Sequence, residues 1–334
     1  MHETRDHTRP LLAGSLLALI LVGSGMGPVQ DTDPRKSVQQ AMKSMTGQTG
    51  TFDFEVDLDL TPLGQPGVRV EISGTSRGES VLGGTGILGV SEANDQQSLS
   101  YIGYRTDTKE YFLVALDPEQ TSLTYMSGKF ARPGFLKLAD PMTGVTSDMQ
   151  MGPEGTLDQS IRIPPDQDLL MKITSKRTSA DPGQVLADLL SGPIVPDRIN
   201  RSADSPEPGR NYARAHRLLH RMAGDFTSVD GASVKSRVVA GGRYLISYFP
   251  DGDGMIQFMA WNNGNRLFQA LVLSPAIGHP IYLQGAMDPD GALKLADPFV
   301  PSGMKMTLTL GSGGFRSETT LAGKVIESRD WKSE

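Results

Sequence analysis

A forty-residue stretch of this chain occurs twice, and that repeat limits the fold more than any other feature. Residues 102–141 read IGYRTDTKEYFLVALDPEQTSLTYMSGKFARPGFLKLADP. Residues 259–298 read MAWNNGNRLFQALVLSPAIGHPIYLQGAMDPDGALKLADP, at a constant offset of 157 with no gap. Eleven positions are identical: the six-residue run Leu136–Pro141 against Leu293–Pro298, and Leu116/Leu273, Pro118/Pro275, Tyr125/Tyr282, Gly128/Gly285 and Gly134/Gly291. Unrelated segments of ordinary composition would share about two or three. The chain therefore reads as two copies of one unit.

At 334 residues each copy is long enough to bury a core of its own. The 38 Gly and 22 Pro leave room for short strands and frequent turns rather than long helices, which points to a mainly β class. Cysteine is absent, so disulfides, thiolate metal sites and cysteine nucleophiles are excluded. A formal net charge of −6 argues against a nucleic-acid partner, which would favour a basic stripe.

The first residues have the form of a secretory signal. Arg5 and Arg9 precede the apolar core Leu11–Val22. Small residues follow (Gly23, Ser24, Gly25, Gly27), then Asp31 and Asp33. The core is short for a membrane span and fits a signal peptide over residues 1–27. The expectation is an exported protein, periplasmic or secreted, with no membrane span after cleavage; retention as an anchor is the alternative.

Pro34 is placed to open a short helix with Val38, Met42 and Met45 on one face. From Phe52 to Leu60 apolar residues alternate with Asp53, Glu55, Asp57 and Asp59, the pattern of a half-buried antiparallel strand. The acidic row invites a calcium reading, but on a strand it has no enclosing loop and reads as a solvated face. The first unit runs over 34–177 and a Pro-rich linker over 178–210. The second unit, 211–334, opens with a helix from Tyr212 to Met222. Met222-Ala223-Gly224 parallels Met45-Thr46-Gly47, and Gly241-Gly242 parallels Gly83-Gly84. Between these anchors the first copy spans 36 positions and the second 17, so the second is expected to lack about a hairpin and to close less tightly. One wet and one apolar face per strand predicts two related antiparallel β-barrels or half-barrels, each preceded by a short helix.

His216-x-x-Leu219 followed by Met222-Ala223-Gly224-Asp225-Phe226 resembles the opening of the bacterial domain-of-unknown-function 1579 family. Gly241-Gly242-Arg243-Tyr244-Leu245 is similar to that family's GGRFL segment. In the first copy Ser100–Tyr104 with Lys109-Glu110-Tyr111 resembles its central hairpin, and Asp140–Gly144 a late turn. The resemblance covers roughly 36–177 and 211–334 and implies calycin-like barrels without an assigned biochemistry. Two departures stand out: Thr49 is placed where the second copy has Phe226, and Gln39 where it has His216.

His216 and His220 share a helix face, but Arg217 stands where a zinc protease needs glutamate, so no metal site is expected. Gly74-Thr75-Ser76-Arg77-Gly78 matches a nucleophile-elbow pattern but sits among strands, so no catalytic residue is assigned. Asp251–Gly254 and Asp288–Gly291 read as hairpin turns, and Asp140 and Asp297 as turn caps before proline. The aromatic and methionine positions Tyr104, Tyr111, Trp261, Phe268, Met304 and Met306 are expected to point into the barrels. The expected function is non-enzymatic, without cofactor: binding of a small apolar ligand by Trp261, Phe268, Met304, Met306 and His216, or service as an interaction scaffold. A hydrolase, or a haem or metal binder, acting through the second unit is the alternative.

Overall fold

The computed structural model describes residues 33–117, 122–195, 210–299 and 303–333. Two closed antiparallel barrels of ten strands each follow one another along the chain, with every strand paired to its sequence neighbour. In the first, β1 (Gly50–Asp59), β2 (Arg69–Val81), β3 (Gly86–Ala93), β4 (Gln96–Arg105) and β5 (Glu110–Leu116) lead to β6 (Thr124–Arg132) and β7 (Phe135–Ala139). Then β8 (Thr146–Met151), β9 (Thr156–Ile163) and β10 (Asp168–Ser179) return to β1. The second repeats the order with β11 (Gly224–Ser228), β12 (Ser233–Val239), β13 (Tyr244–Phe249), β14 (Met255–Asn262) and β15 (Leu267–Leu273). It closes with β16 (Ile281–Met287), β17 (Ala292–Ala296), β18 (Met304–Gly311), β19 (Gly314–Leu321) and β20 (Lys324–Ser333).

A short helix closes one end of each barrel. In α1 (Pro34–Met42), Asp33 caps the N-terminus by accepting from the Arg35 amide at 3.1 Å. Val38 and Met42, one helical turn apart, and Met45 beyond them pack inside the barrel against Ile102, Met126 and Leu136. The second unit begins with α3 (Arg210–Arg221), whose Leu218 and Leu219 enter the second barrel beside Trp261 and Phe268.

The second barrel is not short of a hairpin. The missing length comes out of one hairpin that both barrels keep: β1 and β2 are 10 and 13 residues long, β11 and β12 only 5 and 7. The expected looseness is confined to the closing seam, where β1 pairs with β10 through eight residues but β11 with β20 through three. The glycine matching Gly224 is also Gly50 rather than Gly47. Both open the first strand of their barrel at positive φ (+126° and +149°), and each is followed two residues on by a buried phenylalanine, Phe52 or Phe226. The six residues of 3-10 helix Lys43–Gln48 precede Gly50 and obscure the match in the sequence.

At the two-glycine turns, three consecutive residues are left-handed in each copy: Leu82-Gly83-Gly84 (φ 52°, 65°, 88°) and Ala240-Gly241-Gly242 (φ 48°, 66°, 90°). Leu82 and Ala240 carry the strain of a side chain there, and both are buried in one core shared by the two barrels. That core is made by equivalent outer faces: β3–β4–β5 of the first barrel lies on β13–β14–β15 of the second. Leu99/Ile256, Tyr101/Phe258, Val114/Leu271 and Leu116/Leu273, each pair 157 apart, all lie within it. The contact is thus isologous, as in a twofold dimer, but within one chain.

The barrels lie head to tail. Thr106, in the turn at the helix-capped end of the first, donates its amide to Gly278 O at 2.9 Å, at the opposite end of the second. Tyr244, at the helix-capped end of the second, donates to Ser122 O at 3.1 Å, at the far end of the first. Arg35 meets Asp253 at 2.5 Å in the same sense as Thr106. The described part of the linker is wedged rather than loose. In α2 (Val185–Ser191) Val185 is buried in the shared core, Asp188 pairs with Arg77 at 2.7 Å, and Ile194 O accepts from the Val238 amide at 2.9 Å.

Candidate functional site

The residues singled out in the second copy come together inside its barrel. Trp261 and Phe268 are cross-strand partners on β14 and β15 with ring centroids 4.9 Å apart at 64°. Met304, Met306, Leu308 and Leu310 line the inner face of β18, and the Gln257 amide reaches the Met306 sulfur at 3.9 Å. His216 is buried on α3. Burial, with Arg243 and His220 adding positive charge nearby, pushes its pKa down to about 4, so the ring is neutral at pH 7.

Trp261 and Phe268 belong to a packed interior, while Met304 and Met306 on β18 are only half-buried. Trp261, Phe268, Met259, Leu283, Leu293 and Leu295 are all buried together. The first barrel holds the same ring pair at the same place: Tyr104 and Tyr111, 157 residues earlier, lie 5.1 Å apart at 65°. A feature present in both copies at the helix-capped end is the packing of a barrel floor.

The first barrel differs at its other end. Register places Val56 and Leu58 of β1, Ile72 of β2, Ile161 of β9 and Met171 and Ile173 of β10 on the inner face. All six are only half-buried, unlike the floor below them. Between Phe54 and Leu58 no inward position on these four strands carries a charge; Ser175, opposite Phe54, and Gln159, which donates to Ser147 Oγ at 2.9 Å, are the polar exceptions, and Asp168, opposite Ile163, stands at the mouth. Along β2, Arg69–Gly74 pairs with β1, while pairing with β3 begins at Thr75, which leaves a slot in the upper wall. Alternation alone could not separate these strands from filled ones. The extra length of the first hairpin was the available signal.

The remaining candidates resolve into structure. Ser76 lies mid-strand in β2 opposite Phe52 and Ser91, away from any strand-to-helix turn. Asp140 accepts from the Met142 amide at 2.8 Å and the Thr143 hydroxyl at 2.7 Å, and Asp297 from the Phe299 amide at 2.8 Å, so both cap turns. Asp288 accepts from the Ala292 amide at 2.8 Å inside its hairpin. The acidic row of β1 faces cations across the sheet, Asp53 opposite Lys176 and Asp57 opposite Lys172. Among the described residues no three His, Asp or Glu side chains are placed to hold a metal ion. A cleft of about 530 Å³ between the barrels is walled by Arg77, Glu92, Asn94 and Asp188. The leader lies outside the described residues; no described helix is long and apolar enough to cross a membrane. No family model and no curated protein matches this chain.

Proposed function

We propose that this is an exported, non-enzymatic binding protein that holds a chain-like apolar molecule in the upper half of its first barrel. One observation carries the reading: between Phe54 and Leu58 the inner wall of a closed barrel is mainly aliphatic and without charge, and its side chains stay only half-buried. From Phe54 to Leu58 that wall is roughly 14 Å deep at 3.4 Å per residue. Each methylene of a ligand moved from water into it contributes about 0.8 kcal/mol. A charged headgroup finds no inward partner there and stays at the mouth. The second barrel, with its packed floor, serves as the rigid half of the shared core. The signal-like leader and the resemblance to the family of unknown function 1579 support export and a calycin-like ancestry.

Titration with a fluorescent fatty-acid analogue tests this. Uptake should be saturable in the unmodified chain and absent in Ile72→Trp, whose indole fills the wall. Met306→Trp should retain uptake yet lose about 1–3 kcal/mol of stability from overpacking. Loss of uptake in Met306→Trp, with Ile72→Trp unaffected, would move the site to the second barrel.

A further inference from the structure

Large apolar side chains that are well exposed are concentrated at the ends of the barrels away from the helices. In the first barrel they stand on three turns: Leu63 (57% exposed) between β1 and β2, Met142 (81%) between β7 and β8, and Leu169 (41%) at the start of β10. In the second they stand on the three corresponding turns: Val229 (83%), Phe299 (72%) and Val325 (57%). Met142 and Phe299 are the same position, each following the repeated Leu-Ala-Asp-Pro and each held out by its capping aspartate.

We infer that each of these rims inserts into a lipid bilayer with neutral or zwitterionic headgroups and that, because the barrels lie head to tail, the chain bridges two such surfaces. Six side chains projecting from separate turns make rings of separate points. Such a ring penetrates a soft apolar phase, whereas a protein partner calls for a flat contiguous patch. Charge fixes the kind of surface. The first rim, taken as residues 59–69, 140–146 and 162–169, carries Asp59, Asp140, Asp166 and Asp168 against Arg69 and Arg162, a net of 2 − 4 = −2 without lysine. In the second, Asp230 and Asp297 outweigh Lys324. Anionic membranes, which attract basic clusters, are therefore disfavoured. The inference stands on rim residues and does not require that the lumen hold a ligand.

Flotation and light scattering with phosphatidylcholine vesicles, using the full chain, test it. The unmodified chain should float with vesicles and cluster them. Leu63→Asp with Met142→Asp, or Val229→Asp with Phe299→Asp, should still float but no longer cluster. The chain with all four should lose at least about tenfold in partitioning. Melting temperatures near that of the unmodified chain would show that the exposed positions leave the fold intact. No flotation of the unmodified chain, clustering by a one-rim variant, or loss of all binding from one rim alone would each overturn two-ended docking. So would self-association without vesicles that the four substitutions abolish, since the rims would then serve a second copy of the chain. Preference for phosphatidylglycerol vesicles would overturn the assignment of headgroup.

Discussion

Tyr101 and Phe258 are the same position in the two copies, and they touch: the rings lie 6.3 Å apart at 63° on the axis that relates the two barrels. A residue meeting its own counterpart is the signature of an isologous contact. Either ring truncated to alanine should cost about 3–5 kcal/mol. The double variant should cost about 1 kcal/mol less than the sum, because the contact is lost once. Urea unfolding of the four chains measures the coupling; strict additivity would mean that the rings do not interact.

A protease site inserted between residues 201 and 209 should leave a nicked protein whose halves remain together and melt in one transition. The shared core takes in Leu88, Val114, Ile246 and Leu271, all of which separation would expose. Two fragments that run apart on a sizing column as folded monomers would show the barrels to be independent.

How much of this was legible in sequence depends on periodicity. The offset of 157 over residues 102–141 carried the architecture from β4 through β7, and alternation placed most other strands. It failed where length changes without a change of pattern: the shortened β11–β12 hairpin reads as a missing one, because five-residue strands such as Gly224–Ser228 are too short to show a period of two. Alternation also says that two faces differ, not what covers the second one. In β4 and β14 the outer residues Leu99, Tyr101, Ile256 and Phe258 are as apolar as the inner ones, and that doubled hydrophobicity was the available sign of barrel-on-barrel packing. The inner wall of the first barrel was invisible for a related reason: Val56, Ile72 and Ile173 look the same in sequence whether or not anything fills the space before them.

His216 supplies a pH test. Its pKa in the folded chain, about 4, lies below the ordinary 6.5, so the unfolded chain binds the proton first as pH falls. Stability should be unaffected by this group above pH 6.5 and should decline between pH 6.5 and 4, by at most about 3 kcal/mol. His216→Gln should flatten that limb of the unfolding profile. An unchanged slope would mean that the ring takes up its proton equally in the folded and unfolded chains.

The buried indole N–H of Trp261 has no hydrogen-bond partner among the described residues. An unmet donor of this kind costs about 1–3 kcal/mol. Trp261→Phe removes it at the expense of some packing, and its stability should fall within about 1 kcal/mol of the unmodified chain. A loss as large as that of Trp261→Ala would show that the N–H is satisfied in solution.

Native mass spectrometry of the protein recovered from its own host, under conditions that preserve non-covalent contacts, tests the binding account most directly. The unmodified chain should carry one apolar molecule of chain-like composition, and Ile72→Trp, prepared in parallel, should carry none. A bare mass for the unmodified chain, or an adduct retained by Ile72→Trp, would contradict the placement of a ligand in the first barrel.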